Sequence, residues 1–293
     1  MGLCEEKGRV YAASSNVKEL SFPDCKVLSK FNNSSHARIS LTENGQYLAL
    51  YRGINYLYVY NTDDLNQPLF KTSWSDAVYT TTKCCPFGET TLLVPVQNAL
   101  YSIDMNDPKQ TILVYGDSRP SQERWHQMGH IKSVSSRGDE VVLLHHSFEP
   151  YTRYAFYSKG DSIQFSEKRK ISFSISAGYD NLLLKPGGGV CLFSSRDGSP
   201  MLYYESFPDD FSEPDALISL PRLFSPCFSH DGKYLTFQTD VDSYPYPGAW
   251  LVETTNWSVV RKITDRIVVN PSFSNHDRYW LVPSRKPLIV DLS

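Results

Sequence analysis

The sequence predicts an all-β fold of stacked four-stranded units, on three observations. A turn-plus-strand phrase recurs along the chain, each copy is followed by further strand-like runs, and no long stretch carries clean helical periodicity. Composition agrees: 19 Tyr and 15 Phe suit half-buried pleated surfaces. The 16 Gly and 18 Pro are spread along the whole chain, as many short strands separated by turns require.

The repeated phrase reads ISLTENGQYLALY at 39–51, TKCCPFGETTLLVP at 82–95, VSSRGDEVVLLHH at 134–146, CFSHDGKYLTFQT at 227–239 and SFSNHDRYWLVPS at 272–284. Aligned on Gly45, Gly88, Gly138, Gly232 and Asp277, the copies stand 43, 50, 94 and 45 residues apart. The gap of 94 is two periods, and a degenerate copy at 176–204 fills it. A period in the forties is the size of a four-stranded propeller blade. After each copy comes a second alternating run, such as NYLYVYN at 55–61, NALYSIDM at 98–105, TRYAFYS at 152–158, GAWLVET at 248–254 and KPLIVDL at 286–292. A third follows most of them: PLFKTSW, TILVYGD, SIQFSEK and SVVRKIT. Each unit therefore reads as strands a, b, c and d of an antiparallel meander. One meander cannot bury both of its faces, so neighbours must stack on it.

The ends count towards the blade number. Residues 9–31 read as strands without a preceding turn phrase, and 270–293 read as three strands without a fourth. Five internal units and two partial ones predict seven blades, or six if the partial ends merge. Boundaries are expected near 36, 77, 131, 174, 224 and 269, within one propeller domain over 1–293. The N- and C-terminal segments are expected to pair, because a donated strand removes an exposed sheet edge.

FSHDGKYL (228–235) and LFSSRDGSPMLYY (192–204) resemble the repeats of WD-type and TolB-like (YVTN-type) propellers. In those families a Phe-Ser-x-Asp-Gly turn links strands a and b, and an Arg-Asp-Gly turn links b and c. The Trp-Asp dipeptide that ends strand c in WD repeats is absent. The equivalent places read Tyr60-Asn61, Ile103-Asp104 and Val290-Asp291. The resemblance implies an architecture and assigns no activity.

Charge narrows the function classes. A formal charge of −3 argues against a nucleic-acid partner held by bulk electrostatics. No apolar run reaches the length of a membrane span, and MGLCEEKGRV lacks the apolar core of a secretory signal. A cytoplasmic protein is expected, unless a signal preceded residue 1. The six cysteines show no CxxC spacing and read as free thiols filling core space. Lys168-Arg169-Lys170 reads as a solvated strand end.

Catalytic signatures are sparse. His126 and His130 stand four apart, as on one face of a helix, but Gln127 occupies the place of a zinc hydrolase glutamate, so no metal site is assigned. No Gly-x-Ser-x-Gly elbow occurs, and Gly187-Gly188-Gly189 reads as a loose turn rather than a phosphate loop. No cofactor is expected. Attention falls instead on the connectors that emerge on one rim, the b–c and d–a links. They carry Arg52, Trp74, Trp125, His126, Tyr151, Tyr244 and Tyr246. Aromatic residues with Arg on exposed loops are the composition of interaction hot spots, although the same aromatics would also cap blade edges. The expected function is a non-catalytic module that binds a protein or peptide on this rim, as a monomer or within a hetero-complex. A propeller enzyme of lyase or glycoside hydrolase type and a small-ligand or sugar sensor are the alternatives.

Overall fold

The computed structural model describes residues 1–13, 16–32, 38–42, 44–52, 56–73, 84–96, 98–116, 129–147, 152–165, 167–171, 179–194, 199–220, 223–239, 248–264, 270–274, 276–284 and 287–293. Seven antiparallel sheets follow one another along the chain. Blade 1 holds Gly2–Cys4, Arg9–Ala13, Val17–Ser21 and Val27–Asn32 (β1 to β4). Blade 2 holds Arg38–Leu41, Tyr47–Arg52, Tyr56–Asn61 and Phe70–Ser73 (β5 to β8). Blade 3 holds Cys85–Phe87, Thr91–Val96, Ala99–Asp104 and Thr111–Tyr115 (β9 to β12). Blade 4 holds His130–Arg137, Glu140–Ser147, Thr152–Lys159 and Glu167–Ile171 (β13 to β16). Blade 5 holds Tyr179–Leu184, Val190–Ser194, Met201–Tyr204 and Ala216–Ile218 (β17 to β20). Blade 6 holds Phe224–Phe228, Tyr234–Thr239, Gly248–Glu253 and Ser258–Thr264 (β21 to β24). Blade 7 holds Ser272–Phe273, Tyr279–Val282 and Leu288–Asp291 (β25 to β27). The expected boundaries fall at or within a residue of the gaps between sheets, and the fold is a seven-bladed β-propeller.

The core explains why the sheets form a ring. Successive side chains of a strand point to opposite faces, and the second strand of each blade uses both. In β6, Leu48 and Leu50 pack towards blade 1, whereas Tyr47, Ala49 and Tyr51 pack towards blade 3. In β14, Val141 and Leu143 face blade 3 while Val142 and Leu144 face blade 5. In β18, Val190 and Leu192 face blade 4 while Cys191 and Phe193 face blade 6. Burial on both faces is why these strands read as near-continuous apolar runs rather than alternating ones. Seven apolar clusters result, one between each pair of neighbours, and the seventh joins blade 7 to blade 1 through Leu3, Val10, Leu20 and Leu281.

The recurrent phrase folds as one hydrogen-bonded turn. Thr42, Ser229 and Ser274 each accept the N–H of the tyrosine five residues on, from Tyr47 (3.1 Å), Tyr234 (2.9 Å) and Tyr279 (3.0 Å). Their carbonyls accept from Gly45, Gly232 and Asp277, all in the left-handed region with φ of 65°, 71° and 59°. Glycine adopts that conformation without steric cost, and aspartate tolerates it. Gly232 has a second reason to lack a side chain, since a Cβ there would lie 2.3 Å from the Pro186 carbonyl oxygen of blade 5. Where the Trp-Asp dipeptide would end strand c, Asn61, Asp104 and Asp291 each accept the N–H two residues on, at 2.9 Å. These side chains cap the c–d turn.

Three expectations are corrected. The N-terminal segment adds no strand to blade 7 among the described residues. Instead β1 pairs with β2 across a tight turn closed by Gly8 N–H to Glu5 O (3.0 Å). A local hairpin closes with far less loss of chain entropy than a strand paired across the whole sequence. The termini meet by packing, by Ser272 Oγ donating to Met1 O (3.3 Å), and by the ion pair His276–Glu6. The fourth strand of blade 4 is Glu167–Ile171 rather than SIQFSEK, so Lys168, Arg169 and Lys170 lie within a strand. The outermost strand of a blade tolerates them, and Lys168 Nζ sits 4.0 Å from the Tyr154 ring centroid. Gly187-Gly188-Gly189 forms a hydrogen-bonded a–b turn, with Lys185 N–H on Gly189 O (2.9 Å) and Gly188 N–H on Lys185 O (3.1 Å). The Arg-Asp-Gly link at 196–198 lies outside the described residues.

All six cysteines are free thiols: Cys4, Cys84 and Cys191 are buried, Cys85 and Cys227 half-buried, and Cys25 exposed. Burial raises Cys84 to about 12, so it behaves as a small apolar side chain. Among the described residues no helix is long and apolar enough to cross a membrane.

Candidate functional site

Among the described residues, the b–c/d–a end of blade 4 concentrates the most chemistry. Three strands end there in register: His130 of β13 stands opposite His146 of β14, and His146 opposite Arg153 of β15. The register reaches this pairing through a bulge at Lys132, after which Ile131 pairs with His145 and His130 with His146. The two imidazoles lie 5.6 Å apart, centroid to centroid, with their planes tilted by 59°. His145 points to the other face, where its ring meets Tyr115 edge-on at 5.9 Å. That alternation is what a strand imposes on adjacent residues.

Electrostatics sets the protonation of the row. Burial lowers His130 to about 4, with Lys132, His146 and His145 adding like-charge repulsion. At neutral pH His130 is therefore an uncharged imidazole, able to donate from one ring nitrogen and accept at the other. Arg153 supplies the positive charge of the row, and its Nε is buried without a hydrogen-bond partner among the described residues. Gly129, just before the row, is fixed by close approach: a Cβ would lie 1.8 Å from the His146 carbonyl oxygen.

The sequence-predicted residues stand differently. Arg52 ends β6, where its backbone pairs with Tyr56. Trp74, Trp125, His126, Tyr151, Tyr244 and Tyr246 lie outside the described residues. Chain connection relates three of them to the histidine row: the link 117–128, with Trp125 and His126, runs into Gly129-His130, and the link 148–151, with Tyr151, joins Ser147 to Thr152. His130 itself opens a strand, so the helical spacing of His126 and His130 does not describe this site. His146 and Arg153 were missed as partners of His130. Among the described residues no group of three His, Cys, Asp or Glu side chains could hold a metal ion.

The opposite end of blade 4 carries a second polar cluster. Glu140 accepts from Tyr157 Oη (2.5 Å) and from Arg137 Nε (2.8 Å), and Arg137 also donates to Lys185 O of blade 5. Burial works to raise Glu140, but the hydrogen bonds from Tyr157 and Arg137 and the charges of Arg137 and Lys159 outweigh it and leave the carboxyl below its ordinary range. The cluster ties two blades together.

No protein-family model matches the chain, and no curated protein matches it. Solved structures do match in shape. A chain of the mitotic checkpoint complex superposes with a TM-score of 0.63 at 10% identity, covering 94% of this chain and 81% of that one. The RRP9 WD40 repeats give 0.64 at 10% identity, covering 95% and 84%. Hydrazine synthase of Kuenenia stuttgartiensis gives 0.60 at 11% identity, covering 98% and 93%. At these identities the likeness is one of fold. Its breadth, from a checkpoint assembly to a synthase, shows that the ring alone assigns no activity.

Proposed function

We propose that this propeller is a non-catalytic interaction module that holds a protein or peptide on its b–c/d–a rim, centred on blade 4. The observation that carries the reading is the His130–His146–Arg153 row. It combines a neutral imidazole with a partly buried guanidinium whose Nε has no described acceptor, a pairing suited to peptide carbonyls and carboxylates. The links beside the row hold Trp125, His126 and Tyr151, and corresponding b–c links hold Arg52 and, in blade 6, Tyr244 and Tyr246. Trp, Tyr and Arg are the residue types on which binding energy concentrates. A cytoplasmic location belongs to the same reading and is supported by six cysteines that all stand as thiols.

The test is an affinity capture with mass spectrometry, followed by affinity and melting measurements on single variants. Trp125→Ala, Tyr246→Ala and Arg153→Ala should each weaken the captured partner by about tenfold or more, on the order of 1–2 kcal/mol, with melting unchanged. Loss of binding only in proportion to lost stability would assign these side chains to packing and end the proposal.

A further inference from the structure

The outermost strand of a propeller blade presents a row of unpaired N–H and C=O groups, and proteins normally blunt such edges with charge or by keeping them short. Five of the six outer strands follow that rule. β4 carries Lys30, β8 carries Lys71, β16 carries Lys168, Arg169 and Lys170, β24 carries Arg261 and Lys262, and β20 is three residues long. The exception is β12, Thr111-Ile112-Leu113-Val114-Tyr115, five residues without a formal charge at neutral pH. It also holds exposed apolar surface, with Ile112 60% and Leu113 39% accessible.

The sequence of this edge is complementary to itself. In an antiparallel pairing of two copies centred on Leu113, Thr111 faces Tyr115, Ile112 faces Val114, and Leu113 faces its own equivalent. Continued outward by sequence position, the register sets Lys109 against Asp117 and Asp107 against Arg119. Asp117 and Arg119 lie outside the described residues and enter only through their places in the sequence. Opposite charges meet at both flanks, on both sides of the two-fold.

We propose that β12 is a self-association edge, at which a second copy of this chain adds its own β12 antiparallel and joins the two third blades into one eight-stranded sheet. The contact is isologous, so it closes as a dimer and does not propagate. Backbone hydrogen bonds would supply the attraction, with side-chain and charge pairing fixing the register. The ladder shift between Leu100 and Tyr101 leaves Val114 as an extra residue in β12, and such a bulge adds twist. That confines the new ladder to a few residues and makes the association weak, in the range of small transient interfaces. It replaces the expectation of a monomer and does not depend on the proposed rim.

Sedimentation velocity of the full chain over a wide concentration range tests the idea, with circular dichroism melting on each variant. Wild type should pass from monomer to dimer as concentration rises. Leu113→Lys sets two ammonium groups against each other at the two-fold and should raise the dissociation constant at least tenfold. Lys109→Asp and Asp117→Lys should each raise it about three- to tenfold, because each puts like charges opposite one another. The double variant Lys109→Asp/Asp117→Lys should return it to near the wild-type value, since the pairs re-form with their signs exchanged. A chain that stays monomeric at several hundred micromolar overturns the proposal, as does capture of a foreign extended peptide at β12 without dimerisation. Absence of rescue by the double reversal also overturns it, and that result stands even if Leu113→Lys fails to fold.

Discussion

The joint between blades 4 and 5 and the joint between blades 7 and 1 do the same job with different means. At the first, Val142, Leu144, Leu182, Leu184, Val190, Leu192, Tyr204 and Phe211 are buried together. Leu182 and Leu184 donate their N–H groups to Ser133 Oγ (2.8 Å) and Ser135 Oγ (3.1 Å), so backbone and hydroxyls are tied across the joint. Arg137 adds a clamp at the turn. At the second joint, the fully buried side chains are Leu3, Val10 and Leu281, with Leu20 close behind. Its polar links are the Ser272–Met1 hydrogen bond and the exposed His276–Glu6 pair. A ring closed without a shared strand depends on its leanest joint, because opening there requires the least apolar surface to meet water.

The largest effect should come from removing half of that joint. Deleting residues 1–15 takes away β1 and β2, and with them Leu3, Val10 and Tyr11. We expect loss of most of the stability of the ring, which for a native fold is about 5–15 kcal/mol. Unchanged thermal melting of the truncated chain would show that the seam holds without its first two strands. Next come point substitutions at matched burial. Leu192→Ala and Leu281→Ala both empty a site that is 0% accessible. Each should cost about 2–5 kcal/mol, with the cost set by how far the surroundings collapse. The seam has fewer neighbours and more freedom to close, so Leu281→Ala should fall at the low end and Leu192→Ala at the high end. Equal costs in urea unfolding would break the comparison.

The difference between the joints bears on what could be read in advance. Blade count and boundaries were legible because both follow from local chemistry. The Ser/Thr-x-x-Gly turn repeats as a bonded unit, and a b strand buried on both faces is written as an apolar run. Ring closure was not legible, because pairing at the two ends competes with a hairpin whose turn, Glu5 to Gly8, carries no distinctive signature. The candidate row was hidden for another reason. Counting back from the Arg137–Glu140 turn pairs His130 with Ser147, and only the bulge at Lys132 shifts it onto His146. A bulge is one residue of irregularity, and nothing in IKSV announces it. Outer strand d of blade 4 was misplaced because its charges look like a loop until its exposure is known.

Acid should act on blade 4 before the seam. His130 is held below its ordinary 6.5, at about 4, so the unfolded chain binds the extra proton first. Its contribution is intact at neutral pH and falls as pH drops from 6.5 to 4. Partial solvent exposure limits the loss to about 1–2 kcal/mol. Glu140 acts lower. Its folded pKa is depressed from 4.5, so its contribution is present above 4.5 and is lost as pH falls through the folded value. His130→Asn should flatten the upper part of the stability–pH curve and Glu140→Gln the lower part. If both variants keep the wild-type slope, the acid sensitivity lies elsewhere.

The smallest effect is expected where the seam looks most strongly tied. The His276–Glu6 pair is the only ion pair recorded between blades 7 and 1 among the described residues, and its side chains are 57% and 48% exposed. Exposed pairs gain little in water, lose side-chain entropy, and contribute about 0–1 kcal/mol. His276→Ala should therefore change unfolding free energy by no more than about 0.5 kcal/mol at low salt, and by less at 0.5 M salt, where the Debye length is only about 4–5 Å. Arg137→Ala, at the richer joint, should cost about 1–3 kcal/mol, because it leaves the Glu140 carboxylate and the Lys185 carbonyl short of a donor. The two variants measured side by side in urea decide whether closure rests on apolar packing or on charge. A salt-sensitive loss at His276 as large as that at Arg137 would mean that the seam is held by its clasp rather than by Leu3, Val10, Leu20 and Leu281.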